Sequence, residues 1–194
     1  MANLITIEDY KTSESIQSTK EDSRISSLIV AVSALVKTYC GNSIVDHYST
    51  NKVEEFNISW NTNLVQLTES PIVSIVSVEE RESFGASYTS VPTTEYYADS
   101  STDSIYRVNT GGVGKSWPTG PASVKITYNA GYEECPADLQ LAVIDLITYY
   151  IKDEHKARQT MQGASIQNSS SSSQRDNVAF PDHIKRVLDL YKNF

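Results

Sequence analysis

The chain has 194 residues, with 39% apolar and 21% charged positions, as in an ordinary soluble protein of one domain or a domain with an appendage. Its formal charge of −8 argues against a protein that grips nucleic acid through a basic footprint, and it disfavours attraction to an anionic membrane. The first residues do not have the form of a secretory signal, and the longest apolar stretch, 28–36, is about half of a membrane span. We therefore expect a soluble protein made in the cytoplasm, with no membrane partner.

The first 41 residues predict two helices. Thr6 followed by Asp9 has the form of a capping box and predicts a short helix over 7–17. Apolar residues then recur at every third or fourth position from Ile25 to Tyr39. This spacing predicts a longer amphipathic helix, which Gly41 ends.

Residues 43–129 predict a β-rich block inserted between the second and third helices. Alternating apolar residues predict strands over 43–48, 53–60, 64–67, 71–79, 94–98, 104–108 and 123–128. The connecting segments 81–93 and 109–121 are either plain solvent loops or contacts with a neighbouring protein. Five residues favour the second interpretation: Phe84, Tyr88, Trp117, Pro118 and Pro121.

The remainder of the chain predicts two more helices joined by a linker. Pro136 opens the longest helix, whose first half is apolar over a wide arc. Residues 162–179 are rich in serine, which is typical of a flexible linker. A last helix over 180–194 either docks on a partner or folds back on its own domain. Its apolar side carries Phe180, Pro181, Ile184, Val187, Leu188, Tyr191 and Phe194.

These elements predict an α+β fold. We expect a bundle of about four helices with a β-rich insertion between helices 2 and 3 and a tethered C-terminal helix. The predicted organisation is one domain over 1–161 that contains the insertion at 43–129, then the linker over 162–179 and the docking helix over 180–194.

No motif predicts catalysis, a cofactor or a metal site. Residues 111–116 end like a phosphate-binding loop, but Asn109 stands where the first glycine is needed and Pro118 prevents the helix that must follow. The three histidines lie on different predicted elements without metal-ligand spacing. Cys40 and Cys135 are predicted to be buried, reduced thiols. We therefore predict a protein that is not an enzyme.

Three stretches, in order, resemble the head–tail connector (adaptor) family of tailed bacteriophages and prophages. The first is Leu4-Ile-Thr-Ile-Glu-Asp-Tyr10 with the helix that ends at Gly41. The second, which is the most specific, is Val124-Lys-Ile-Thr-Tyr-Asn-Ala-Gly-Tyr132 followed by Cys135-Pro-Ala-Asp-Leu139. The third is the C-terminal helix that starts at Phe180-Pro181.

The resemblance implies a structural virion protein without catalytic activity, assembled in the host cytoplasm and located at the capsid–tail junction. Such connectors form a homo-oligomeric ring of about 12 copies beneath the portal. The ring extends the DNA channel and carries stopper or tail proteins. The resemblance further implies that the helical part packs laterally and that the helix over 180–194 docks on the portal. A negative lumen fits DNA that passes without specific binding.

Two alternatives remain at this stage. One is another neck or tail-completion protein, such as a stopper or terminator, which would bind tail ends and not the portal. The other is a small cytoplasmic ligand-binding domain or enzyme, which a metabolite would stabilise against unfolding.

Overall fold

A computed structural model describes residues 2–152 and 180–192, which form two compact units. One unit contains residues 2–40 together with the described residues from Cys135 onward, and the other contains residues 41–134. We call them the helical unit and the β-rich unit. The predicted linker over 162–179 and Phe194 lie outside the described residues, and the predicted domain division stays a prediction.

The helical unit begins with two helices, α1 (Ile7–Ser13) and α2 (Asp22–Cys40). The capping box at the start of α1 is confirmed, because the Asp9 N–H donates to Thr6 Oγ1 at 3.2 Å and the Thr6 N–H donates to Asp9 Oδ2 at 2.8 Å. α1 is shorter than predicted, since Ser15 adopts a positive φ of 54°. Gly41, with a φ of 66°, ends α2 as predicted.

The unit is completed by α3 (Ala137–Ile151) and α4 (Asp182–Asp189), which begin directly after Pro136 and Pro181. The packed sides of α2, α3 and α4 form the apolar interior of the unit. In this interior Val36, Leu139, Val143, Leu146, Ile147 and Leu188 have no measurable exposure.

The β-rich unit consists of two antiparallel sheets. The first sheet has the order β1 (Lys52–Ile58), β7 (Gly120–Ala130), β3 (Ile72–Glu80), β4 (Thr89–Ser90). The second has the order β2 (Leu64–Gln66), β6 (Ser104–Arg107), β5 (Tyr96–Asp99). The inner faces of both sheets contribute to one core, which includes Val65, Ile105, Val124, Ile126 and Tyr128.

The fold class is confirmed as α+β, with the β-rich block between α2 and α3. One strand prediction is wrong: residues 43–48 form turns. Ile44 adopts a positive φ of 67°, which an extended strand excludes. The Ser43 backbone N–H and hydroxyl both donate to Glu69 Oε2 at 2.8 Å, so a side chain takes the hydrogen bonds that a sheet partner would supply.

Candidate interaction surfaces

A buried arginine organises the second half of the β-rich unit. The Arg107 guanidinium is 2% exposed and donates to both carboxylate oxygens of Glu80, at 3.0 and 2.9 Å. It also pairs with a Glu95 carboxylate oxygen at 2.9 Å. Hydrogen bonding to Glu80 raises the pKa of Arg107, and hydrogen bonding to Arg107 lowers the pKa of Glu95. Because Glu80 lies on β3 and Arg107 on β6, this group joins the two sheets.

The predicted contact role of Trp117 is corrected by this arrangement. Trp117 is 2% exposed, and its ring centroid lies 5.6 Å from the Arg107 guanidinium carbon. The side chain is part of the core and offers no surface to a neighbour. Pro118 beside it is half-buried, whereas residues 111–116 are exposed and lead into β7 without a helix, as predicted.

The other predicted contact loop presents an aromatic side chain to solvent. Phe84 is 67% exposed, and its ring centroid lies 4.8 Å from the Arg81 guanidinium carbon. The same guanidinium lies 4.5 Å from the Tyr88 ring, and the Tyr88 ring is also 4.3 Å from Lys125 Nζ. We call residues 81–88 the Arg81 loop. The loop lies against the outer face of the first sheet, because Lys125 lies between the core residues Val124 and Ile126 of β7 and so points outward.

The outer face of the second sheet carries a row of large side chains that the sequence analysis did not single out. Leu64, Tyr106 and Tyr97 are direct neighbours across β2, β6 and β5. Leu64 is 38% and Tyr97 59% exposed, and the two tyrosine rings are 6.4 Å apart. We call these three residues the tyrosine row. Each of the three short strands contributes only one residue to the row. The sequence therefore does not reveal that these residues are neighbours until the register of the strands is known.

The solvent face of α2 is uncharged over most of its length. The exposed residues after Arg24 are Ser26, Ser27, Val30, Ala31, Ala34, Leu35 and Thr38. Both the Ser27 and Thr38 hydroxyls donate to backbone carbonyls four residues earlier, each at 2.9 Å, so they need no outside acceptor. By length and composition α2 could span a membrane, but its other side is buried in the helical unit.

The predicted docking face of α4 packs within the helical unit. Phe180, Ile184 and Leu188 are buried, and the Phe180 ring lies 5.1 Å from the Tyr39 ring. Pro181, Val187 and Tyr191 are half-buried. The Tyr39 hydroxyl donates to Asp189 and the Tyr191 hydroxyl to Asp138, both at 2.6 Å. The chain's own residues thus cover this face, and docking on a portal stays a prediction.

Both cysteines are buried and free, as predicted. The Cys40 thiol donates to the Leu188 carbonyl at 3.6 Å, so α4 covers it directly. Burial raises the pKa of Cys40 to about 11 and that of Cys135 to about 12. Burial therefore favours the protonated form of both thiols at neutral pH, as for structural cysteines.

Adjacent glutamates on β1 and β3 point to opposite faces of their strands. Glu54 faces inward and binds Lys52 at 3.1 Å, whereas Glu55 is exposed. Glu80 likewise faces inward to Arg107. The inner glutamates therefore neutralise cations of the unit.

Other possible chemical sites are few in the part of the chain described. Among residues 2–152 and 180–192, no group of three or more His, Cys, Asp or Glu side chains is placed to bind a metal ion. A shallow cleft of about 460 Å³ beside α1 has Lys11 as its only lining cation, and that cation binds Asp22 at 2.9 Å. The surfaces above are therefore the main candidates for function.

The negative charge of the protein is concentrated in one unit. Residues 41–134 contain 12 of the 24 acidic residues and only five of the 16 basic ones, a formal charge of −7 out of the total of −8. This distribution makes the β-rich unit a poor surface for DNA phosphates.

Comparison with solved structures finds the same fold in phage-like particles. A chain in a structure described as the neck of an empty GTA particle, computed with C6 symmetry, matches with a TM-score of 0.61 and 16% identity, over 98% of this chain and 90% of that one. A chain in the neck of the native GTA particle, computed with C12 symmetry, matches with a TM-score of 0.57 and 15% identity, over 100% and 96%. A third, in the virion of the native gene transfer agent particle, has a TM-score of 0.61 and 15% identity, over 98% and 90%.

Sequence comparison identifies the family. No curated protein shows significant sequence similarity to the chain. The profile of the head completion protein family, by contrast, matches residues 3–194, which is nearly the whole chain. The predicted resemblance to head–tail connector proteins is confirmed at this level: the chain belongs to the head completion protein family.

Proposed function

We propose that this protein is a non-enzymatic connector that forms a ring beneath the portal, extends the DNA channel and carries the stopper or tail proteins. The observation that supports this most is the agreement between the family match over 3–194 and the likeness of the whole fold to chains of a particle neck. Assembly would take place in the host cytoplasm and leave the protein at the capsid–tail junction.

The face of α2 supports assembly into a ring. An exposed helix face without charges, on which the Ser27 and Thr38 hydroxyls are already hydrogen-bonded, loses little when it leaves water, and its alanine and serine residues allow a neighbour to approach closely. In a ring this face would pack against the next copy. The C6 and C12 symmetry of the matched necks is the kind of closed symmetry that such side-by-side packing produces.

The charge distribution supports a passive channel. A lumen lined by the β-rich unit, with its formal charge of −7, would not hold phosphates by cations. DNA would then pass without specific binding, as packaging and ejection require.

The C-terminal helix has two ways of reaching the portal. It can leave the helical unit and dock through Phe180, Ile184 and Leu188, which would uncover Cys40. It can also stay in place and bind through its exposed side, where Leu190 is 77% exposed. The two routes predict opposite changes in the reactivity of the Cys40 thiol. The first route exposes the thiol, and the second leaves it covered.

The test is co-sedimentation with the portal ring encoded by the same genome, using the full chain and a version truncated after Gln162. A Cys135→Ser background makes Cys40 the only thiol, and its reaction with a thiol reagent is followed with and without portal. Faster reaction on portal binding shows that α4 has left its place. Protection together with weaker binding of Leu190→Ser shows that the exposed side docks.

A second candidate is another neck or tail-completion protein, such as a stopper or terminator, because the description of the matched family, head completion protein, names no contact with the portal. It predicts binding to isolated tails and none to the portal. If the full chain sediments with neither, the connector proposal fails.

A further inference from the structure

The Arg81 loop and the tyrosine row lie on opposite faces of the β-rich unit and are complementary in chemistry and charge. We propose that the Arg81 loop of one copy packs on the tyrosine row of the next copy, with Arg81 pairing with Asp99. This contact rests on the ring proposed above and adds a second zone of contact between neighbouring copies, in addition to the α2 face.

The Arg81 loop is held in place before any partner binds. Arg81 Nε donates to the Ala122 carbonyl at 2.8 Å, and Arg81 Nη1 donates to the Phe84 carbonyl at 3.0 Å. The Tyr88 hydroxyl donates to the same Ala122 carbonyl at 2.7 Å. Since the loop is already ordered, burying Phe84 in an interface costs little conformational entropy. Arginine and tyrosine are enriched among the residues that contribute most binding energy in interfaces, and phenylalanine is enriched in interface cores.

The tyrosine row offers the matching surface. Tyrosine ring faces attract a guanidinium and pack flat against a phenylalanine ring. Asp99 is the next outward residue on β5 after Tyr97, and the Ser101 hydroxyl and backbone N–H both donate to its carboxylate, at 2.6 and 2.9 Å. These hydrogen bonds lower the pKa of Asp99 and keep the carboxylate charged.

Charge favours a second copy as the occupant of this row. The β-rich unit is strongly acidic, so neighbouring copies repel unless an uncharged or oppositely charged area lies between them. Lys52, Arg107 and Lys125 form ion pairs inside the unit, whereas Arg81 forms none with residues 2–152 or 180–192. Arg81 is therefore a cation that remains available to an acidic surface.

The placement also suits a closed ring. The inner faces of the two sheets share one core, so the Arg81 loop and the tyrosine row lie on opposite sides of the unit. A cyclic ring uses two different patches on each copy, one for each neighbour. Each copy would insert its loop on one side and receive a loop on the other.

Disulfide cross-linking of the full chain tests the contact. The Phe84→Cys/Tyr97→Cys variant is oxidised alone and on the portal, and its products are separated on a non-reducing denaturing gel. We expect a ladder of linked copies. The matched control, Leu141→Cys/Tyr97→Cys, replaces Phe84 with another exposed apolar residue, which is 58% exposed, and should give no ladder beyond the background. The buried native thiols are blocked with a maleimide at the moment of denaturation.

Charge reversal gives an independent readout. Asp99→Arg should weaken assembly at least tenfold, because it places a second cation opposite Arg81, and Asp99→Asn should weaken it less; both leave the hydrogen bonds of the Arg81 loop intact. Rings that form normally with the Asp99→Arg variant, and without a ladder, overturn this contact and leave the connector function standing. A wild-type chain that forms no ring, alone or on the portal, overturns both.

Discussion

Arg107 carries a full charge in the core of the β-rich unit, where a charge is tolerated only if its partners are complete. The Glu80 carboxylate accepts two hydrogen bonds from the guanidinium, and the Glu95 and Val108 backbone carbonyls accept two more, at 2.6 and 2.7 Å. Arg107 joins the two sheets and packs against Trp117. Its removal should therefore destabilise the whole β-rich unit.

We predict that Arg107→Ala destabilises the protein by about 3–5 kcal/mol, because it leaves the Glu80 carboxylate without its cation. Urea unfolding followed by fluorescence measures the loss, in a Trp60→Phe background that leaves Trp117 as the only tryptophan. Glu95→Gln is the control and should cost far less, since Glu95 is more exposed. Equal losses for the two variants would contradict the central role of Arg107.

Gly131 is a second residue that the fold requires, because its backbone conformation and its surroundings exclude a side chain. It adopts a φ of 95°, and a Cβ there would lie 2.2 Å from the Ile44 carbonyl oxygen. We predict that Gly131→Ala lowers the free energy of unfolding by more than about 2 kcal/mol, from strain and displacement together. Gly85→Ala is the control, since a Cβ at Gly85 meets nothing within 4 Å. Thermal unfolding of both variants decides the point, and similar midpoints would refute it.

At the scale of elements, the reactivity of the Cys40 thiol measures how firmly α4 packs on the helical unit, because α4 covers this thiol. Leu188 is fully buried on α4, and Leu190, two residues later, is 77% exposed. We predict that Leu188→Ala loosens α4 and speeds the reaction of Cys40 with a thiol reagent at pH 8 at least tenfold, whereas Leu190→Ala leaves the rate unchanged. A Cys135→Ser background isolates the signal. Equal rates in the two variants would show that α4 does not protect Cys40.

The helices could be predicted closely from the sequence, because their signals are local. Spacing of three or four from Ile25 to Tyr39, Gly41 after the helix and Pro181 before the last one all act within a few residues. The amphipathic pattern of α4 likewise predicted that the helix has an apolar face. It did not show that this face packs on the other helices of the same unit.

Features that depend on contacts between distant residues could not be predicted. The segment 43–48 has the composition of a strand, but Glu69, distant in sequence, binds Ser43 and holds a turn. Trp117 lies in a segment with the composition of a loop. It nevertheless packs against Arg107 and is buried in the core of the β-rich unit. The tyrosine row exists only through the register of three strands.

At the scale of the whole molecule, the α2 face leads to a prediction about assembly. Ala34 is exposed in the single chain, so Ala34→Glu should change stability by no more than about 0.5 kcal/mol. In a ring the new carboxylate would be buried without a partner, and we predict that ring formation is lost. Light scattering after size-exclusion chromatography, with and without portal, gives the mass. Ala137→Glu, an exposed position on α3, is the control and should assemble normally.

The concentration of acidic residues in residues 41–134 also determines how assembly responds to dissolved ions. Bringing many units of charge −7 into one ring raises a repulsion that acts over about 30 Å at 0.01 M salt but only about 8 Å at 0.15 M. Counterions should therefore promote ring closure, in contrast to DNA-binding proteins, whose complexes dissociate as salt rises. The ionic strength of the host would then help to determine when the connector assembles.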